Sequence, residues 1–155
     1  MSRLSVGEAA PEFALRAHDG TRISLADLVG QRFVLYFYPK DDSPGCSTEA
    51  CDFRDRDQDF SAAGARILGV SPDPIVKHEK FREKYGLPFT LLSDPEHTVA
   101  DAYGVWVEKK MYGRTYMGIE RSTFIIDAEG RIEEAHYKVR PKGHAAAVLE
   151  RVQAT

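Results

Sequence analysis

A chain of 155 residues, 43% hydrophobic and 29% charged, suits one domain with its own apolar core and excludes a disordered or membrane-like protein. Its 21 basic and 24 acidic residues leave a net charge of −3, which gives no electrostatic footprint for nucleic acid or anionic lipid. No run approaches the ~20 apolar residues of a membrane helix. The opening MSRLSVGEAAPEFAL has neither the apolar centre of a signal peptide nor the Arg/Ser bias of a transit peptide, so a cytoplasmic location is expected.

In chain order, FALRA (13–17) and TRISL (21–25) flank His18-Asp19-Gly20 and predict an N-terminal β-hairpin. RFVLYFY (32–38) is apolar on both faces, as a central strand buried from both sides must be. Residues 46–63 predict an amphipathic helix, with Cys46, Ala50, Phe53 and Phe60 on one face and Asp52, Asp55, Arg56 and Asp59 on the other. ARILGVS (65–71) is a second buried strand, and PIVKHEKFREKY (74–85) a second helix with Pro74 in its first turn. A short helix near 96–103 follows. STFIID (122–127) is a third buried strand, paired as a hairpin with 131–139 across Ala128-Glu129-Gly130, and 143–153 forms a closing helix. Glycines and prolines are scattered as single turn signals, with no linker or repeat, so residues 1–155 read as one domain. The pattern implies an α/β fold with a central mixed sheet flanked by helices on both faces, the general shape of a thioredoxin-like domain.

Both cysteines lie in YPKDDSPGCSTEAC (38–51), five positions apart. In a reducing cytosol such a pair is more often catalytic, redox-sensing or metal-binding than structural. Cys46 falls where strand gives way to helix, after Ser43-Pro44-Gly45, where unpaired amides and the positive end of the helix dipole favour a thiolate. A small buried hydrophobe at the same place is the competing reading. If Cys46 and Cys51 share one α-helix, their Cα atoms are ~8.6 Å apart on different faces, beyond the ~7 Å limit for a disulfide. A bond between them then requires the first turns to unwind, which suits a transient disulfide and not a structural one. A metal site would need further ligands, and the five histidines lie outside this segment, so no metal or cofactor is expected.

The neighbouring residues suit chemistry on a peroxide. A thiolate attacking an O–O bond leaves a sulfenic acid and expels hydroxide or alkoxide, so the site must stabilise negative charge without protonating the sulfur. An arginine does both. Ser43 offers a hydroxyl that both accepts and donates, while Pro39 and Pro44 shape the loop and remove backbone donors. Taken singly, Ser43 reads equally as a turn residue and Glu49 as a solvated helix charge.

The segment resembles the active-site signature of the peroxiredoxins: Pro, three residues, Thr or Ser, two residues, Cys, matched by Pro39, Ser43 and Cys46. A second cysteine after four intervening residues resembles the peroxiredoxin Q subgroup, also called bacterioferritin comigratory protein. Further blocks agree in order: VGEAAPEFAL, FTLLSDPEH (89–97), YGVWVEKK (103–110) and RSTFIIDAEGRI (121–132). The resemblance implies a thioredoxin-like fold and a peroxidase for hydrogen peroxide and organic hydroperoxides, recycled by thioredoxin or a similar dithiol. It implies Cys46 as peroxidatic nucleophile, Cys51 as resolving thiol, Ser43 as the hydroxyl, Arg121 as the guanidinium and Glu49 as the acid that orients it. Trp106 and Phe37 are candidates for the site's apolar surroundings, with core packing an equal reading for either. Two departures stand out. Most members carry threonine where this chain has Ser43, and the chain reaches Ala154-Thr155 without the C-terminal resolving cysteine of the dimeric peroxiredoxins, so a monomer is expected. The alternatives are a general disulfide reductase, disfavoured by the absent CxxC, and a non-enzymatic redox sensor that signals by helix unwinding.

Overall fold

The computed structural model describes residues 3–154. A short hairpin, β1 (Ala14–Ala17) and β2 (Arg22–Ser24), leads through a 3-10 turn at Ala26–Leu28 to β3 (Arg32–Phe37) and α1 (Pro44–Ala62). Then come β4 (Ala65–Ser71), α2 (Ile75–Tyr85), β5 (Thr90–Ser93) and α3 (Thr98–Ala102). A two-stranded ribbon, β6 (Trp106–Met111) and β7 (Arg114–Ile119), precedes β8 (Ser122–Ile126), β9 (Ile132–His136) and α4 (His144–Gln153). Seven strands form one sheet in the order β2-β1-β5-β4-β3-β8-β9. It is mixed as expected: β3, β4 and β5 pair in parallel, while β1 on β5, β8 on β3 and β9 on β8 are antiparallel.

The pleat of β3 divides the core in two, because successive side chains point to opposite faces. Val34 and Tyr36, with Tyr38 just beyond the strand, face α1, α2 and α4, where Cys46, Ala50, Phe53, Phe60, Phe81 and Val148 close over them. Phe33, Leu35 and Phe37 face the other side and pack with Phe13, Leu28, Val99 and Tyr103. Each fully buried phenylalanine of α1, Phe53 and Phe60, is worth ~2–3 kcal/mol of apolar burial. That interface makes the C-terminal body of α1 the firmly held part.

Two elements differ from the sequence expectation. Pro74 is the N-cap of α2 and not a residue of its first turn: its extended backbone, with ψ of 159°, lies just outside the helix. The β6–β7 ribbon was not expected at all. It reverses through Tyr112 and Gly113, with φ of 52° and 76°, a two-residue turn of the kind that matches strand twist. Most of its side chains are exposed, so no core imposed a regular apolar alternation on it.

Candidate active site

The register of β3 on β8 builds the site. Phe37 pairs with Ser122, so the chain leaving β3 for α1 passes beside Arg121 as it enters β8. Ser43 is the N-cap of α1, in extended conformation, and its carbonyl accepts the amide of Ser47 at 2.8 Å. Pro44 takes the first helical position, where a missing N–H costs nothing. Cys46 follows in the same first turn. The Ser43 hydroxyl donates to the Lys40 carbonyl at 2.9 Å and does not cap a helix amide, which leaves its lone pairs to accept from another group. Pro39 is half-buried at the start of this loop.

Cys46 is buried, and Arg121 reaches it across the sheet: Nη2 donates to Sγ at 3.3 Å while Nη1 donates to Glu49 Oε1 at 2.6 Å. One planar guanidinium thus joins the thiol to the carboxylate one turn further along α1. Glu49 is not the solvated charge that it resembles in isolation; it has no solvent exposure, and among the described residues its Oε2 has no hydrogen-bond partner. The Tyr36 hydroxyl is another buried, unpaired oxygen of the same core. Burial, then the charges of Glu49 and Cys46, push Tyr36 well above the usual tyrosine range, so it remains a neutral phenol.

Burial pushes Glu49 up to about 7, against the pull of Arg121. Burial alone would lower Arg121, but the charges of Glu49 and Cys46 outweigh it and raise it. A carboxyl whose folded pKa lies above its unfolded value stabilises the fold below the unfolded value, and that contribution is lost as pH rises through the folded one. Stability should therefore fall between pH ~4.5 and ~7 by on the order of 3 kcal/mol through this group. Urea unfolding across that window checks it: Glu49→Gln should flatten the fall, and an unchanged slope would remove Glu49 as its source.

Gly45 has a steric role that its turn context hides. A Cβ at this position would lie 3.2 Å from Arg121 Nη2 and 3.4 Å from Pro141 Cγ, so any other residue would push the guanidinium or the proline ring back by a few tenths of an ångström. Lys109, on β6, is another residue without a local signal. It is half-buried, and burial and the Arg121 charge lower it while Glu120 and Cys46 pull the other way, so it belongs to the same electrostatic environment.

Phe37 and Trp106 do not surround Cys46. Phe37 is one pleat step out of phase and packs on Tyr103 and Phe124 in the opposite core cluster. Trp106 packs against that same cluster and stacks on His97 with ring centroids 3.8 Å apart. The buried rings that share a cluster with Cys46 are Tyr36, Tyr38, Phe53, Phe60, Phe81 and Phe89. Cys51 lies on the same unbroken α1, half-buried, and both cysteines are free thiols. The condition that keeps their Cα atoms ~8.6 Å apart is met.

Residues 6–135 match the model of the AhpC/TSA family. The chain belongs to the AhpC/TSA family. Peroxiredoxin Bcp of Bacillus subtilis is 52% identical over 147 residues, which cover 95% of this chain and 94% of that protein. Among solved structures, a Xylella fastidiosa PrxQ mutant superposes with a TM-score of 0.93 at 39% identity, covering 99% of this chain and 98% of that one. A Xanthomonas campestris bacterioferritin comigratory protein, described with an alkyl peroxide reduction activity, superposes with a TM-score of 0.91 at 41% identity over 97% and 98% of the two chains. The fold is thus the thioredoxin-like fold of peroxiredoxins, and the chain is a thiol-dependent peroxidase of the Bcp/peroxiredoxin Q group.

The loop that delivers the peroxiredoxin signature is pinned from beneath. His78 of α2, fully buried, contacts Asp41 Oδ2 through Nδ1 at 2.6 Å and the Leu92 carbonyl through Nε2 at 2.9 Å. A carbonyl only accepts, so Nε2 carries a hydrogen and a single proton lies between Nδ1 and Asp41. Tyr38 donates to the other Asp41 oxygen at 2.5 Å, and the Asp41 amide donates to Asp73 at 2.7 Å. Every polar atom named here is satisfied, which fixes the loop on β3, β5 and α2 before α1 begins.

Proposed function

We propose that Cys46 is the nucleophile that reduces hydrogen peroxide and organic hydroperoxides, and that Cys51 resolves it within the same chain. The observation that carries this reading is the Arg121 guanidinium, shared between Cys46 Sγ and Glu49. It supplies a fixed positive charge where the sulfur must act as an anion and where the departing oxygen develops charge, and it stays protonated throughout. Glu49 holds that guanidinium in plane, and the Ser43 hydroxyl accepts from the incoming peroxide. Pro39 and Pro44 keep the loop free of two backbone donors.

The electrons balance in two steps. The Cys46 thiolate forms an S–O bond as the O–O bond breaks, and the departing hydroxide or alkoxide takes a proton from solvent. The Cys51 sulfur then displaces hydroxide from the sulfenic acid, which leaves as water with the thiol proton, and an S–S bond remains. Since α1 holds the two thiols apart, its first turns unwind for the second step. A thioredoxin-type dithiol returns the pair to thiols. The alkyl peroxide reduction described for the Xanthomonas campestris relative supports organic hydroperoxides as substrates. No helix of the described residues is long and apolar enough to cross a membrane. We take the chain to act as a single-domain monomer in the cytoplasm, since resolution inside one chain gives the chemistry no need of a partner subunit.

Peroxide consumption coupled to a thioredoxin and its reductase tests the reading. Cys46→Ser should abolish turnover with both hydrogen peroxide and a bulky organic hydroperoxide. Undiminished consumption by that variant would move the nucleophile elsewhere.

A further inference from the structure

Asp42, next to the buried Asp41, has no part in the chemistry above, yet its backbone and its carboxylate are both held in a particular way. Its backbone is left-handed, with φ of 60°, a region that L side chains enter rarely and that aspartate tolerates best when its carboxylate is held. The carboxylate accepts from three groups. Lys84 Nζ donates at 2.7 Å and the Tyr85 hydroxyl at 2.7 Å, both from the last turn of α2, and Ser47 Oγ donates at 3.3 Å from the start of α1. The contact with Lys84, then that with Tyr85, lowers its pKa, so Asp42 is an anion at neutral pH.

A second tie runs between the same two helices. Arg54 Nη1 donates to the Tyr85 carbonyl at 2.8 Å. Ser47, Cys51 and Arg54 stand at i, i+4 and i+7 on α1, so they share one helix face. Cys51 therefore sits between two points at which α1 is fastened to the end of α2. Of the two, only the Asp42 tie involves the segment between the cysteines, which must unwind.

We propose that Asp42 is a positioning residue for resolution: it latches the first turn of α1 to α2 and sets how readily that turn opens after Cys46 is oxidised. The proposal rests on the Cys46–Cys51 disulfide argued above. The sulfenic acid has two fates. Cys51 attack gives the disulfide and water; alternatively a second peroxide oxidises the sulfur to sulfinic acid and is itself reduced to water or an alcohol. A tight latch slows the first fate and leaves more time for the second. Lys84 and Tyr85 act through Asp42 and touch no reacting atom.

The test follows disulfide formation and sulfinic acid by rapid quench and intact mass, in the wild type, Asp42→Ala, Asp42→Asn and Tyr85→Phe. Asp42→Ala should form the disulfide about three- to tenfold faster, a change of the size expected for a few exposed polar contacts. Its sulfinic fraction at excess peroxide should fall in proportion, while the second-order rate of the first oxidation of Cys46 stays at the wild-type value. Asp42→Asn, which tolerates the left-handed backbone and still accepts from Tyr85 and Ser47, should lie between. Tyr85→Phe should shift the partition in the same direction as Asp42→Ala, by less. An unchanged partition in Asp42→Ala, with the disulfide forming normally, would overturn the latch alone. Absence of any Cys46–Cys51 disulfide in the wild type would overturn both the latch and the resolving role on which it rests. A loss of thermal stability without a change in partition would mark Asp42 as structural only, and that too overturns the proposal.

Discussion

Arg121→Ala should lower the second-order rate of peroxide reduction by about 10²–10³, the usual loss when a fixed donor is removed from a developing anion. The loss has two sources. Nη2 no longer reaches Cys46, so the sulfur has neither its donor nor its nearest positive charge. Nη1 no longer holds Glu49, which leaves a carboxyl of zero exposure without its ion-pair partner. Burial then raises Glu49 unopposed, so the folded state must hold it as a neutral carboxyl short of hydrogen-bond partners, and the variant should also unfold more easily. The two effects separate in the double variant Arg121→Ala/Glu49→Gln, which removes the cost of protonating that carboxyl on folding: stability should recover much of the loss and activity should not. Stopped-flow peroxide consumption beside urea unfolding decides this. Activity that recovered together with stability would make Arg121 a structural residue.

Cys51→Ser should consume one equivalent of peroxide and then stop. Its Cys46 sulfenic acid should persist long enough to be trapped by a sulfenate-specific reagent, and further peroxide should carry it on to sulfinic acid. The reason lies in helix geometry. With α1 intact the two sulfurs belong to different faces, and no other free cysteine exists among the described residues to take the place of Cys51. Multiple-turnover rates with a thioredoxin-type reductant should accordingly fall to near zero while the first turnover keeps its wild-type rate. Continued turnover in Cys51→Ser would mean that the external dithiol attacks the sulfenic acid directly, and the spacing of the two cysteines would lose its meaning.

How much of this was readable from the sequence depends on how far apart the interacting residues lie. The strands at 32–38, 65–71 and 122–127 were plain, because a strand covered on both faces must be apolar throughout. The spacing of Cys46, Ala50 and Phe53 gave α1 and its buried face, and Glu49 lies on that same face, so its burial was latent in the periodicity. Its charge argued the other way, and only Arg121, 72 residues distant, resolves the conflict. Arg121 itself had no local signal. It meets Cys46 across 75 residues, through the antiparallel register of β3 and β8, and family resemblance alone pointed to it. The contact between Asp41 and His78 was equally invisible, since neither residue is unusual in its own segment. For Phe37 the sequence left two readings open, active-site surroundings or core, and the pleat decides for the core by sending it to the far side of the sheet.

The most direct test is the intact mass of the reduced protein before and after one equivalent of hydrogen peroxide. Resolution inside one chain predicts a monomer lighter by two hydrogens, with Cys46 and Cys51 joined in a single peptide after digestion. A lasting gain of one oxygen, or a disulfide between two chains, would contradict it.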